Sequence, residues 1–186
     1  MHKEVVRLKI KTKNKTTMIF FIVIVVFCII GFVWQRYFWF DMQYDGYITQ
    51  YCSEQNVSKS LVYAIVKAES NFDTSAISNK GAVGLMQLMP DTALFVAQKQ
   101  NIKNFDLTNP KDNIMLGICY VAYLQQKFDS QKDVVCAYNA GENKVKQWLK
   151  HGGDVPFNET KNYLKKVERN VKIFNALYKN SQLAKK

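Results

Sequence analysis

The feature that most constrains this chain is a run of seventeen uncharged residues near its N-terminus, from Met18 to Trp34. At about 1.5 Å per residue, a helix of this length extends roughly 25 Å, the short end of a membrane span. Aromatic residues follow at 37–40, a composition typical of a membrane interface. The sequence therefore predicts a transmembrane anchor over residues 18–40.

The charges around this run predict its orientation. Residues 1–17 hold six Lys or Arg against one acid, and a basic flank of this kind stays in the cytoplasm. Everything after residue 40 is then expected outside the cell membrane, on a single-pass protein with a cytoplasmic N-terminus. A cleavable signal peptide is the alternative, but its apolar part would be about 7 to 15 residues and would end at an Ala-x-Ala-like cleavage site, which residues 31–45 lack.

Composition divides the chain into five parts. A predicted linker and one predicted domain of about 130 residues follow the anchor. The parts are a basic leader (1–17), the anchor (18–40), the linker (41–50), the domain (51–180) and a basic tail (181–186). Residues 144–186 hold eleven Lys or Arg against three acids, which predicts a basic C-terminal face for anionic envelope polymers or lipid, or else a solvated helix face. Nucleic acid is a poor partner for a domain placed outside the membrane.

Several kinds of chemistry lack the residues they need. The chain has two isolated histidines, His2 and His151, and no Walker loop or dinucleotide-binding glycine motif. We therefore predict no metal and no cofactor, and chemistry that uses carboxylates and hydroxyls. The four cysteines show no disulfide-framework spacing, so Cys52, Cys119 and Cys136 are expected as buried free thiols, with a disulfide among them left open.

The exported part reads as helices joined by polar turns. Apolar residues recur at helical spacing over 57–70, with Ser58 as the candidate cap. Asn109-Pro110 and Ser130 each begin a further predicted helix, and Gly141 closes the second of these. A last helix is predicted over 159–179, with inward residues Leu164, Val167, Val171, Phe174 and Leu177. The fold class is mainly α, with a small β-hairpin over 78–90 as a further candidate element.

Glu69 stands out because it continues the apolar stripe of Leu61 and Ile65 near the C-terminal end of its helix. Apolar surroundings and the negative end of the helix dipole both disfavour a carboxylate, so its pKa is expected to be raised. A carboxylic acid that keeps its proton near neutral pH suits general acid catalysis on a glycosidic oxygen. Taken alone, a glutamate at a helix end is more often a solvated surface residue.

Three blocks around and after this residue form a specific pattern: Glu69-Ser70-Asn71-Phe72-Asp73, Gly81-Ala82-Val83-Gly84-Leu85-Met86-Gln87-Leu88-Met89-Pro90, and Ala137-Tyr138-Asn139-Ala140-Gly141. In this order they resemble the soluble lytic transglycosylase (SLT) family over nearly all of residues 50–175. The main departure is Thr74, where the family usually carries proline. The resemblance implies a goose-type, lysozyme-like helical domain that cleaves the β-1,4 bond between N-acetylmuramic acid and N-acetylglucosamine in peptidoglycan.

The resemblance also implies roles for single residues. Glu69 matches the one acid/base, and the remaining matches line or support the glycan groove: Ser78, Gln87, Met89, Tyr138, Asn139, Glu159 and Tyr163. Each of these has a plainer interpretation. Gln87 could pin loop backbone, Met89 could fill core, Ser78 could serve a turn and Asn139 could cap a helix. For Tyr138 the open roles are stacking on a sugar ring and reaching Glu69 through its hydroxyl.

Three functions follow from these residues. The leading hypothesis is a membrane-anchored lytic transglycosylase for local wall remodelling, in which Glu69 acts first as acid and then as base and 1,6-anhydro ends form. The second is a lysozyme-like hydrolase, which needs another carboxylate such as Asp73, Asp91 or Glu142 across the groove. The third is a non-catalytic peptidoglycan-binding subunit of an envelope-spanning apparatus.

Overall fold

The structure is a computed structural model that describes the backbone of residues 2–153 and 155–183, and the side chains of residues 15, 17–32, 44–153 and 155–178. The described chain is helical throughout its regular structure. The helices are α1 (His2–Gln55), α2 (Lys59–Glu69), α3 (Pro90–Lys99), α4 (Pro110–Gln125), α5 (Gln131–Ala140), α6 (Glu142–Lys150) and α7 (Asn158–Leu183). The predicted mainly α fold is confirmed.

The chain divides into two compact units, residues 1–43 and 44–186. In the first unit the large apolar side chains described between Met18 and Phe32 are exposed. Among the residues whose structure is described, no helix has the combined length and apolarity needed to cross a membrane, so the predicted transmembrane helix is not confirmed. The side chains of the predicted aromatic belt at 37–40, and residues 184–186 of the predicted tail, lie outside the described residues.

The second unit begins inside the segment predicted as a linker. Residues 44–50 belong to α1, and Tyr44 and Ile48 are buried because they form one helical stripe with Cys52. The Tyr63 hydroxyl donates to Asp45 Oδ1 at 2.6 Å, which ties this end of α1 to α2. The structure therefore differs from the predicted linker, since its second half is part of the domain.

Helices α2, α4, α5 and α7 lie where the apolar periodicity or the capping residues predicted them. Asn109 begins α4 by accepting the Lys111 N–H at 2.9 Å, and Ser130 Oγ accepts the Asp133 N–H at 3.1 Å at the start of α5. Ser58 precedes α2 as predicted, although its side chain makes no capping bond. Helix α2 packs on α7, α7 also on α5, and α5 on both α4 and α6. This arrangement places the C-terminal end of α2 against α7.

The segment from Ala76 to Leu88, called the site loop below, overlaps residues 78–90, where a small β-hairpin was a candidate element. That prediction is wrong: within the described residues the loop forms only two single bridges, Ile77 to Val83 and Val83 to Leu88. Positive φ angles at Gly81, Gly84 and Gln87 turn the chain before a ladder can lengthen.

The buried Asn113 of α4 holds the site loop in place. Its Nδ2 donates to Val83 O and to Leu107 O, both at 2.9 Å, and its Oδ1 accepts the Met86 N–H at 2.8 Å. Val83 O also accepts the Leu88 N–H at 3.1 Å within the loop, so the side-chain amide adds to the loop's own hydrogen bonds. The loop is therefore fixed to α4 by one residue.

Helix α7 presents Val167 and Phe174 to the core, as predicted. Leu177 was predicted on the same face but is half exposed, so that part of the prediction is wrong. Tyr178, four positions after Phe174, continues the inward face of α7 instead, and its ring lies 5.4 Å from the Tyr63 ring of α2.

The cysteines of the second unit are buried free thiols, the predicted default. Cys52, Cys119 and Cys136 form no disulfide in the structure. Burial raises the pKa of the Cys52 thiol to about 12 and that of Cys119 to about 11, so both stay protonated and neutral at physiological pH.

Candidate active site

Glu69 is the last residue of α2, and its side chain is half-buried between α2 and α7. Loss of hydration by burial raises the pKa of its carboxyl from the ordinary 4.5 to about 7. Two neighbours oppose this rise: the Tyr163 hydroxyl, which donates to Glu69 Oε1 at 2.6 Å, and the positive charge of Lys166. The pKa moves in the direction predicted from the apolar stripe, so near neutral pH the group exchanges its proton readily.

Lys166 reaches the same end of α2 from α7. Its Nζ donates to the Ala68 carbonyl at 2.6 Å, where unpaired carbonyls give the helix end a partial negative charge. The sequence placed Lys166 only in the basic C-terminal face, and its contact with α2 was missed. No sequence signal distinguishes it from its neighbour Lys165.

Tyr138 comes from α5 and lies close enough to Glu69 for the two groups to interact electrostatically. Its hydroxyl donates to Met86 O in the site loop at 2.7 Å, so it reaches the loop and not the carboxylate. Burial, with the negative charge of Glu69 as a further cause, raises the pKa of Tyr138 well above its ordinary value. Tyr138 is thus a neutral phenol that joins α5 to the loop close to Glu69.

The structure also places the three predicted residues of the site loop and its end. Gln87 has a positive φ of 47°, and its Nε2 donates to Ala76 O and Gly84 O, both at 2.9 Å. Ser78 Oγ accepts the Ala82 N–H at 2.9 Å within a turn. These contacts agree with the plainer interpretation of each residue: both side chains hold the backbone of the loop in place. Met89 caps α3 and is 40% exposed.

Two further predicted residues lie where α5 approaches α7. Asn139 Oδ1 accepts the Thr160 hydroxyl at 3.0 Å, a bond that links the two helices next to Tyr138. Glu159, the neighbour of Thr160, is exposed in the first turn of α7. Tyr163 and Glu159 therefore share one helix, but only Tyr163 contacts Glu69.

The carboxylates considered as a second reacting group have other contacts. Asp73 is exposed, and hydrogen bonds from the Ser75 hydroxyl and N–H lower its pKa. In Glu142, burial favours the protonated form, but hydrogen bonds from Lys146 and Tyr123 outweigh it and leave the pKa lowered. The Tyr123 hydroxyl is 2.7 Å from Glu142 Oε2. Asp91 is exposed in the first turn of α3.

The described side chains contain no group of three His, Cys, Asp or Glu arranged to hold a metal ion. The arrangement around Glu69 offers proton transfer instead. A half-buried carboxyl with a pKa near 7 can give up a proton to a substrate oxygen, and the Tyr163 hydroxyl can stabilise the carboxylate that remains.

A row of aromatic rings that the sequence analysis did not identify leads away from Tyr138. The Tyr120 ring lies 5.4 Å from that of Tyr138, Tyr123 lies 6.3 Å from Tyr120, and Phe95 lies 5.0 Å from Tyr123. The i, i+3 spacing of Tyr120 and Tyr123 on α4 was available as a signal. Phe95 belongs to α3, whose position was not predicted.

Comparison with known proteins gives a consistent result. Residues 46–173 match the family model described as the transglycosylase SLT domain. The chain is 32% identical over 155 residues to the soluble lytic murein transglycosylase of Salmonella typhimurium, an alignment covering 75% of this chain and 23% of that protein. It is 27% identical to the membrane-bound lytic murein transglycosylase C of Histophilus somni, covering 75% of this chain and 48% of the relative.

A solved structure agrees with these matches. The lytic transglycosylase Slt of Pseudomonas aeruginosa, studied as an inactive mutant with glutamate replaced by glutamine, superposes with a TM-score of 0.70 at 31% identity. The alignment covers 75% of this chain and 25% of that one. The chain thus spans about a quarter of the length of the first soluble relatives it matches.

Proposed function

The chain belongs to the transglycosylase SLT domain family, and from this premise we propose that it cleaves peptidoglycan between N-acetylmuramic acid and N-acetylglucosamine, leaving 1,6-anhydro ends. The observation that carries the proposal is the half-buried carboxyl of Glu69, with a pKa of about 7 and the Tyr163 hydroxyl 2.6 Å away. A group that must donate and then accept one proton works best with such a pKa.

In the first step the protonated Glu69 gives its proton to the glycosidic oxygen as the bond from that oxygen to muramic acid C1 breaks. The 2-acetamido group of the same sugar stabilises the cationic C1. The Tyr163 hydroxyl and the Lys166 charge, both of which favour the carboxylate, stabilise the newly charged Glu69.

In the second step the Glu69 carboxylate takes the proton of the muramic acid 6-hydroxyl while O6 bonds to C1. The 1,6-anhydro ring closes, Glu69 is protonated again, and no water is consumed. Attack from within the same sugar has a proximity advantage over attack by bulk water. A second carboxylate to activate water is not required, in contrast to ordinary glycosidases.

The remaining predicted residues act on the substrate's position. Tyr138 and Gln87 hold the site loop through Met86 O, Ala76 O and Gly84 O, so we assign them to the shape of the groove. The exposed Met89 and Glu159 are free to contact sugar. Ser78 and Asn139 shape the loop and the α5 to α7 contact.

The Pseudomonas aeruginosa relative is inactive with one glutamate replaced by glutamine, which supports a decisive role for such a residue in that protein. The test on this chain is mass spectrometry of muropeptides released from purified peptidoglycan by the full chain in detergent. Wild type should release anhydro ends, lighter than hydrolysed ends by the mass of one water. Glu69→Gln should reduce this release at least about a hundredfold, since acid/base catalysis alone contributes roughly 10² to 10⁴.

Glu168→Gln, an exposed glutamate of α7, is the matched control and should keep full activity. Reducing ends in place of anhydro ends would replace the proposal by lysozyme-type hydrolysis, and Asp73→Asn, Asp91→Asn and Glu142→Gln would then identify the second carboxylate. Undiminished digestion by Glu69→Gln would refute the role of Glu69. Binding to the insoluble wall without any product would favour a binding subunit.

We further propose that residues 18–40 hold the domain at the cytoplasmic membrane, so that it remodels nearby wall. The support is the uncharged run from Met18 to Trp34, its basic flank, and similarity to relatives named as membrane-bound. Other relatives are named as soluble, so the location needs its own test, argued in the Discussion.

A further inference from the structure

A basic pocket lies in the second unit, apart from the contacts of Glu69. Its volume is about 260 Å³ and its walls include Lys99, Lys127, Tyr123, Gln55, Gln100 and Gln126. We call it the Lys99–Lys127 pocket. Its polar lining consists of cations and amides, which are the donors that an anion requires.

The two lysines share one aromatic ring. Lys99 Nζ lies 5.5 Å and Lys127 Nζ 5.4 Å from the centre of the Tyr123 ring, and Lys99 Nζ is also 5.3 Å from that of Phe95. Within the described part of the chain, neither lysine forms an ion pair with an acid. Both ammonium groups therefore lie around the same ring, where an anion that enters the pocket can approach them.

The acids near the pocket are already engaged. Glu142 accepts the Tyr123 hydroxyl and pairs with Lys146, and Glu54 accepts from Gln50 Nε2 at 2.9 Å. The buried Cys119 thiol that also lines the pocket is neutral, because burial raises its pKa to about 11. The charge of Lys127 also acts on Glu142, whose pKa it helps to lower, but no acid is among the residues that line the pocket, so its lining stays positive.

The position of the pocket indicates where its anion comes from. Tyr123 is joined to Tyr138, beside Glu69, by two ring-to-ring steps of 6.3 and 5.4 Å through Tyr120. A peptide of four residues extends at most about 14 Å. A peptide stem attached to a sugar near Glu69 is long enough to bring its terminal carboxylate to the pocket.

We propose that the Lys99–Lys127 pocket binds the C-terminal carboxylate of a peptide stem carried by the glycan strand in the groove. The proposal rests on the proposed function, since it assumes a peptidoglycan substrate. Binding of the stem carboxylate in this pocket makes the enzyme prefer strands with intact stems over strands from which the stems have been removed.

The test is isothermal titration of the full chain in detergent with a synthetic tetrapeptide stem bearing a free C-terminal carboxylate. The same peptide with a C-terminal amide should bind about tenfold more weakly, the loss of one charge-assisted interaction. The double variant Lys99→Gln/Lys127→Gln should bind the peptide with the free carboxylate more weakly than wild type by a similar factor. Lys111→Gln/Lys132→Gln, two exposed lysines outside the pocket lining, should bind it as wild type does.

The proposal would be overturned if the peptides with a C-terminal carboxylate and a C-terminal amide bound equally well. It would also be overturned if both double variants lost the same affinity for the peptide with the free carboxylate. A glycerol phosphate oligomer that binds the pocket more tightly than this peptide would overturn it too, since the anion would then be a polymer phosphate. On substrate, Lys99→Gln/Lys127→Gln should raise KM for stem-bearing strands and leave kcat and the KM for bare strands unchanged. The titration uses no turnover, so it can fail or succeed independently of the role of Glu69.

Discussion

Glu69 has a raised pKa because burial removes water from its carboxylate, and the same burial acts on the stability of the fold. A group whose pKa is higher folded than unfolded contributes stability below its unfolded pKa, and that contribution is lost as pH rises through its folded pKa. For Glu69 the window runs from the ordinary 4.5 to about 7. The acid that the chemistry needs therefore destabilises the folded chain at and above neutral pH.

This predicts a measurable pH dependence. Between about pH 4.5 and a pH above 7, the free energy of unfolding of the wild type should decrease by roughly 3 kcal/mol more than that of Glu69→Gln. The reason is that a shift of one pKa unit corresponds to about 1.4 kcal/mol. Urea unfolding across this range, with Glu168→Gln as the control for loss of an exposed carboxylate, measures the difference. Parallel curves for wild type and Glu69→Gln would contradict the raised pKa.

Tyr163→Phe extends the same measurement. Removing a hydroxyl that donates to the Glu69 carboxylate raises the pKa of Glu69 further, so the loss of stability should be larger and should continue to higher pH than in wild type. The double variant Glu69→Gln/Tyr163→Phe should show no such difference from Glu69→Gln.

At the residue scale the sequence predicted Glu69 and the direction of its pKa, because Leu61 and Ile65 place it on the core face of one helix. It could not predict the partners that adjust that pKa. Tyr163 and Lys166 lie more than ninety positions away, and only the packing of α7 on α2 brings them to Glu69. Tyr163 was identified through the family resemblance, and Lys166 was missed.

At the element scale, the contact between α4 and the site loop depends on Gly117. A Cβ built there would meet Met86 Sδ and lie 2.9 Å from Met86 Cβ, far inside ordinary van der Waals distance. Met86 O accepts the Tyr138 hydroxyl and Met86 N donates to Asn113. Displacing Met86 therefore disturbs two of the bonds that hold the loop near Glu69.

Gly117→Ala should destabilise the chain by about 1 to 3 kcal/mol through overpacking and reduce wall digestion. Gly46→Ala is the matched control, because a Cβ there meets nothing within 4 Å and alanine favours a helix interior by roughly 0.5 to 1 kcal/mol. Thermal unfolding should move in opposite directions for the two variants. If Gly117→Ala unfolded at a higher temperature than wild type, Met86 would have to move aside without destabilising the fold, which would contradict the prediction.

The elements that the sequence predicted are those with buried stripes and caps, such as α4 with Ile114 and Ile118 inward and Asn109 at its start. Helix α3 was missed because Leu94 and Phe95 are exposed, which blurs its apolar period. Helix α6 buries only Val145. The hairpin candidate in the site loop failed because positive φ angles at Gly81, Gly84 and Gln87 interrupt the pairing, and the distant Asn113, which no local pattern reveals, bonds to Val83 and Met86 of the loop.

At the scale of the whole molecule, charge is unevenly distributed along the chain. Between residues 41 and 143, eleven acids outnumber eight Lys or Arg, whereas both ends are strongly basic. On α7 the side chains of Lys161, Lys165, Arg169 and Lys172 are exposed. Their contact with anionic envelope polymers stays a prediction, and Lys166 is used within the fold instead.

The membrane location is the prediction that concerns the whole chain. Expressed in a bacterial host, the wild-type chain should remain in the membrane pellet after an alkaline carbonate wash, because residues 18–34 carry no charge. Val23→Lys/Val26→Lys/Ile30→Lys should release it, since each lysine near the centre of a membrane helix costs about 3 kcal/mol. The control Thr49→Lys/Gln98→Lys/Gln125→Lys adds the same charge at exposed polar positions and should stay in the pellet. A wild-type chain found in the soluble fraction would contradict the anchor, and glycan cleavage would then have to be confined to nearby wall by other means.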